Sequence, residues 1–330
     1  MPSPALGTPA SAYPQESTAK NGAALLFLAF GVVYVFWGST YLAMRIGIES
    51  FPPLLLPGSR HLLVGLILYP LLRWKTGERP TIAQWKTAAM TGTLLLFFGN
   101  GGVCYAEQTV PSGIAALLVA TVSLWMVIVD WLRPGGVRPG ARVIAGIILG
   151  FLGLALLVGP AHLGGSGRVN PTGAAVLIVA AFAWACGSVF SKHGALPHSP
   201  MLGVAMQGLA GGTVLWVAGL LTGEGRSLHW AAISARSWLA LAYLVLFGSV
   251  LGFTAYLYIL RKSTAARVGT YALVNPVVAL CLGWLFAKET VSLRTLAAAA
   301  IILSSVFLVI TAPARMAEPE PLIPAGGEAD

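Results

Sequence analysis

Arg60 stands inside a long apolar run, LLLPGSRHLLVGLILYP, where a charged side chain is costly and marks a functional candidate by default. At 1.5 Å per residue it lies about 10 Å from the start of its helix. It has two readings: a structural clamp that caps carbonyls near Pro57, and a cation that meets the carboxylate of a solute. Glu107 closes the next apolar run and is the expected partner of Arg60 if the guanidinium reaches outward. Asp130, three residues before Arg133, suits a local ion pair at the other end of its run. Both carboxyls are candidates for proton coupling.

Asn100 falls at nearly the depth of Arg60, and Asn275-Pro276 falls near mid-helix. Proline removes one helical hydrogen bond and frees a carbonyl about a turn earlier. Pro57 and Pro276 are therefore the expected helix-break or gating points, with Ser123 facing Asn275. Trp37, Tyr41, Tyr105, Trp125 and Tyr256 are expected to line a binding site, because their rings stack on apolar or cationic solutes. Trp184, Tyr258 and Tyr271 share that character. The null for any single ring is packing.

The elements that must position these residues follow from composition. The 330 residues are 57% hydrophobic and only 9% charged, with mean hydropathy +0.80. A soluble domain carries roughly 25% charged residues, so this chain takes lipid as its solvent. That excludes a soluble enzyme, a secreted disulfide scaffold and a disordered chain. The net charge of +9 reflects basic residues at the ends of apolar runs, so nucleic-acid binding is not expected. Cys104, Cys186 and Cys281 lie in apolar runs at unrelated spacings, without a zinc or disulfide pattern. No metal site, cofactor site, phosphate-cradling loop or nucleophile elbow is recognisable.

Ten apolar runs, each near the 20 residues that cross a bilayer, begin at about 23, 53, 88, 112, 143, 172, 201, 238, 268 and 295. Continuous rather than alternating apolar residues specify helices over a barrel. Residues 1–22 read as a disordered tail and 313–330 as a cytoplasmic one. With both termini inside, 13 Lys and Arg fall in cytoplasmic segments and 6 in outer loops, which favours that orientation.

Sliding the chain by 153 residues puts Gly99 on Gly252, Tyr105 on Tyr258, Ser123 on Pro276 and Trp131 on Trp284; an offset of 149 puts Gly38-Ser39 on Gly187-Ser188. The chain thus reads as two five-span repeats, 23–159 and 172–312. An odd span number inverts the second copy, an arrangement that supports alternating access. Glycines four apart (146/150, 208/212, 248/252) allow helices to approach closely.

The stretch FWGSTYLAMR from Phe36 to Arg45, with Arg60 in PGSRHLLVG, resembles the opening of an EamA domain of the drug/metabolite transporter superfamily. GNGGVCYAEQTVPSGIAALLVATVSLWMVIVDW, residues 99–131, resembles its YedA-type branch, and Ala265, Asn275-Pro276 and Lys288-Glu289 resemble a second such domain. The resemblance implies a ten-helix inner-membrane carrier exporting small metabolites, amino acids or amphipathic compounds. Ser123 stands where the first copy usually has proline, and Gly135-Gly136 where it usually has the acidic residue kept as Glu289. The alternatives are an importer or exchanger of sugar-type or phosphorylated metabolites, and a membrane-embedded transferase on lipid-linked substrates. Expected partners are a small-molecule substrate, membrane lipid and a second copy in a homodimer; no cofactor is expected.

Overall fold

In a bilayer every backbone N–H and C=O must be satisfied within the protein, and continuous apolar runs do this as helices. The computed structural model describes residues 15–136, 138–158, 169–263 and 270–312. Ten helices cross the bundle: α1 Gln15–Gly47, α2 Leu55–Thr76, α3 Ile82–Ala106, α4 Ser112–Leu132, α5 Ala141–Val158, α6 Pro171–His193, α7 Pro200–Leu221, α8 Ala235–Ile259, α9 Tyr271–Ala287 and α10 Leu293–Ile310. Large apolar side chains such as Phe27, Leu66, Leu152 and Phe286 face outward, as a lipid solvent requires. We call the end where α1 starts proximal and the end where it stops, at Gly47, distal.

Helix α1 begins at Gln15, earlier than the expected boundary at 23, and takes in the polar stretch QESTAKNG. Residues 1–14 of the expected N-terminal tail 1–22, and the expected tail 313–330, lie outside the described residues. Polar residues stop the other helices cleanly. Thr81 and Gln84 form a reciprocal capping box at α3, and Asn170, Ser199, Ser234 and Ser292 accept N–H groups at the starts of α6, α7, α8 and α10.

The packing is that of two inverted repeats. Helices α2 and α7, second in their repeats, run antiparallel over their whole length: a Cβ on Gly58 would meet Trp216 and Leu215, on Gly65 Leu209, and on Gly219 Leu55. Helices α5 and α10, the fifth of each repeat, also run antiparallel, with Gly146 against Val309 and Gly153 against Ile302. Equivalent helices of parallel copies would run in the same direction.

The same inversion appears in a tripeptide. Thr76-Gly77-Glu78 ends α2 and Thr222-Gly223-Glu224 follows α7. Both glycines are left-handed (φ 68° and 88°), which glycine adopts without steric cost. Each glutamate then reaches the start of the other helix. Glu78 accepts from His198 and Ser199 N–H (3.1 and 2.9 Å) at the proximal end, and Glu224 from Leu54 and Leu55 N–H (3.0 and 3.1 Å) at the distal end. A carboxylate is favoured where unpaired N–H groups and the positive end of a helix dipole meet.

Two expectations are corrected. Pro57 and Pro276 do not break their helices: Pro57 sits in the first turn of α2, where an N–H has no helical partner to lose, and α9 runs unbroken through Pro276 in its second turn. The interruption is at Thr121 in α4, the copy without proline, where the helical pattern lapses for one residue and the Thr121 hydroxyl donates to Leu118 O (2.6 Å). The ungapped offset of 153 also fails at Gly99. Phe98-Gly99 recurs as Phe247-Gly248, so Gly99 corresponds to Gly248 and not to Gly252; loops of different length in the two repeats shift the register.

Candidate functional site

Helices α3 and α8, third in each repeat, widen into π-helical segments at Thr93–Gly101 and Leu244–Leu251. Such segments concentrate at functional sites because the looser winding re-aims side chains and carbonyls. Here both border one central cavity of about 120 Å³, which holds Gly99 and Asn100 from one segment and Gly248 from the other. Helix α1 supplies Trp37, Thr40, Tyr41 and Met44; α2 supplies Arg60 and His61; α6, α8 and α9 supply Trp184, Phe253, Tyr271 and Asn275. An apolar cavity of roughly 150 Å³ accepts benzene, so this state suits a solute of small amino-acid size.

Hydrogen bonds across the repeats hold the lining in place. The Trp37 indole donates to Gly248 O (3.1 Å), and Arg60 Nε donates to Ser249 Oγ (2.8 Å), so both grip the π-segment of α8. Asn275, oriented with its amide nitrogen towards two carbonyls, donates to Tyr271 O (3.2 Å) and Tyr34 O (3.3 Å), joining α9 to α1. Trp184 lies against Gly99, where a Cβ would stand 2.7 Å from the ring. Gly248 and Gly252 similarly make room for Arg60 and Trp37, so that pair shapes the cavity wall.

Arg60 is 5% exposed, and among the described residues it forms no ion pair. The expected pairing with Glu107 is not made: the guanidinium turns sideways to Ser249, and Glu107 lies beyond Val103 towards the distal end. The terminal nitrogens of Arg60 therefore remain for whatever enters the cavity.

Of the residues expected to bind, Trp37, Tyr41, Arg60, Asn100 and Asn275 come together on this cavity, and Tyr105, Ser123, Trp125 and Tyr256 do not line it. Tyr105 is 49% exposed on the outside of the bundle. Trp125 packs edge-on against Phe151 and Phe182 (centroids 5.0 and 5.3 Å). Tyr256 forms a second layer, 5.1 Å from Trp37 and 6.0 Å from Tyr271. Ser123 is half-buried on α4, just below Val122, which does line the cavity. Sequence reasoning singled out neither Phe253 nor Thr40. The repeated Phe-Gly pair would have pointed to the π-segments.

Asp130 pairs with Arg133 (2.7 Å) and borders a separate proximal hollow of about 530 Å³ with Arg138, Arg142 and Lys192. At the distal end Glu289 caps α4, accepting from Ser112 N–H (2.7 Å), Ser112 Oγ (2.8 Å) and Gly113 N–H (3.1 Å). It fits only because position 283 has no side chain, since a Cβ there would collide with the carboxylate. Glu107 is fully buried, and neither carboxyl oxygen has a hydrogen-bond partner.

Among the described residues, nine helices long and apolar enough to cross a membrane and the shorter apolar helix α9, in two inverted repeats around a central, mixed aromatic and polar cavity, define a multi-pass membrane protein. The chain belongs to the EamA-like transporter family, which matches residues 23–159 and 171–311, one domain per repeat. It is a membrane transporter of that family. It is 40% identical over 285 residues to "Uncharacterized inner membrane transporter YedA" of Escherichia coli (strain K12), covering 86% of this chain and 90% of the relative. It is 28% identical to "Probable amino-acid metabolite efflux pump" of Salmonella typhimurium, covering 86% and 93%. A crystal structure at 20% identity shares the fold, with a TM-score of 0.58 over 87% of this chain and 96% of the other.

Proposed function

We propose that this chain exports small carboxylate-bearing solutes, amino acids or their metabolites, across the inner membrane by alternating access, with both termini in the cytoplasm. The observation that carries the reading is the guanidinium of Arg60 in an aromatic cavity without an acidic partner. A buried cation without a counter-charge is costly, and a solute carboxylate supplies the missing charge in a forked geometry that arginine matches. Trp37, Tyr41, Trp184 and Tyr271 offer ring faces and edges to the rest of the solute. The name of the Salmonella relative agrees with this substrate class. For a metabolite that carries net negative charge, an inside-negative potential adds about 2.3 kcal/mol per charge per 100 mV in the outward direction; a zwitterionic amino acid, with no net charge, gains nothing from it.

The proximal end, with most of the Lys and Arg, faces the cytoplasm in this reading, and the distal end faces outward. Exchange of the two repeat packings then opens the cavity to each side in turn. The test is counterflow in vesicles holding the purified protein, screening amino acids and amphipathic cations with and without a pH gradient. Exchange of carboxylate solutes supports the proposal. Exchange confined to cations, or none for any small solute, overturns it.

A further inference from the structure

Glu107 occupies the turn immediately after α3, one helical turn beyond the cavity residue Val103, to which its own N–H is bonded (Glu107 N to Val103 O, 2.9 Å). Its side chain is fully enclosed, and both carboxyl oxygens lack any hydrogen-bond donor. The groups that act on it come from three elements: Glu289 in the turn after α9, Arg45 and Tyr41 on α1, and Cys104 on α3. Arg45 makes no ion pair with it. Glu289 accepts three hydrogen bonds at the start of α4, which fix its carboxyl group on the side of Glu107.

A buried carboxylate with neither donor nor counter-ion is among the least favourable groups a protein can contain. Burial, followed by the nearby Glu289 charge, pushes the Glu107 carboxyl well above the ordinary carboxylate range, with Arg45 a smaller opposing influence. The enclosed setting of Glu107 therefore favours the neutral acid over the carboxylate. Opening the distal end admits water, which solvates the carboxylate and takes its proton.

We propose that Glu107 is a proton-binding site that must be loaded from the outer compartment before the outer face of the carrier can close. Closure moves one proton from water to the Glu107 carboxyl, and opening returns it. External acid then biases the carrier towards its inward-accessible form. The inference rests on the proposed transport and orientation for which face is the outer one, and on the enclosed carboxyl for the proton site itself.

The test has two arms, neither of which needs a transported solute. Infrared difference spectra of the purified protein at neutral pH compare it with Glu107→Gln. A protonated-carboxyl band present in the parent and absent from the variant is expected. In a Cys186→Ala, Cys281→Ala background, Cys104 is the remaining thiol, buried in the closed form. A membrane-impermeant maleimide is added outside sealed vesicles as the pH is raised. Labelling relative to the same background carrying Glu107→Gln is expected to rise by up to about tenfold per pH unit above the Glu107 titration, the ratio cancelling the thiol's own ionisation. Identical pH profiles, or no band difference, overturn the proposal. Should Glu107→Gln fail to fold, Glu289→Gln keeps Glu107 in place and must shift its infrared titration to lower pH; an unmoved titration also overturns it. A band and labelling ratio in a protein that exchanges no solute would uphold the proton site while the transport reading fell.

Discussion

Replacing Arg60 by Gln gives the sharpest consequence of the cavity geometry. In the structure the side chain spends one donor on Ser249 Oγ at 2.8 Å and leaves its terminal nitrogens towards the cavity. Two charge-assisted hydrogen bonds to a carboxylate are each worth about 1.5–3 kcal/mol, and Gln restores part of one. The net loss is about 3 kcal/mol, or about 100-fold in half-saturation. Labelled alanine counterflow, with alanine and ethylamine as competitors, measures it. The parent should discriminate strongly between them through the carboxylate, and Arg60→Gln should lose that discrimination. Arg60→Lys should fall between, because an ammonium keeps the charge without the fork. Thermal unfolding separates binding from folding: removing an uncompensated buried cation offsets the lost Ser249 bond, so Arg60→Gln should melt no lower than the parent. Unaltered alanine exchange in Arg60→Gln, or equal competition by the amine in the parent, would refute the reasoning.

The remaining predictions concern packing, clamps and topology. Gly211→Ala should destabilise by about 1–3 kcal/mol in detergent melts, since its Cβ would stand 2.5 Å from Gly92 O, whereas Gly31→Ala, with nothing within 4 Å, should be neutral or stabilising. Gly283→Ala should lower the melting temperature by displacing Glu289 from the start of α4, and should lose most of its effect when combined with Glu289→Gln. Burial raises the Glu224 carboxyl above its ordinary value despite bonds from Leu54 and Leu55 N–H. A raised carboxyl favours the protonated form in the fold, so parent stability relative to Glu224→Gln should rise as pH falls through that raised value towards the ordinary one; a flat difference would contradict this. Single cysteines at positions 78 and 224 should be modified from opposite sides of the membrane, and labelling from one side alone would contradict the inverted packing.

Much of this fold was legible because lipid leaves the backbone so few choices. The ten apolar runs became nine helices long enough to cross a bilayer and one shorter helix, Tyr271–Ala287, among the described residues, and five per repeat, an odd number, already implied inversion. The reciprocal clamps were also written in the chain as two Thr-Gly-Glu tripeptides, yet nothing in either copy says that its glutamate reaches the other repeat. Arg60 and Asn100 were recognisable because polar atoms are rare at that depth. Their partners were not, since Ser249 lies 189 residues from Arg60 and is brought there only by the π-segment of α8.

The aromatic residues show where sequence reasoning stops. Trp37 and Tyr41 line the cavity while Tyr105 faces outward and Trp125 packs against Phe151, although all four sit in equally apolar surroundings. In water, an amphipathic stripe tells which face of a helix turns inward. In a bilayer the lipid-facing and core-facing surfaces are both apolar, so the stripe vanishes and the rotation of each helix is left to its neighbours. The residue types and spacing determined that this chain spans the membrane as helices, how many times, and with which few polar atoms inside. The close glycine contacts of α2 with α7, the interruption at Thr121 and the π-segments of α3 and α8 decided which of those atoms meet, because only packing fixes the turn of one helix against another.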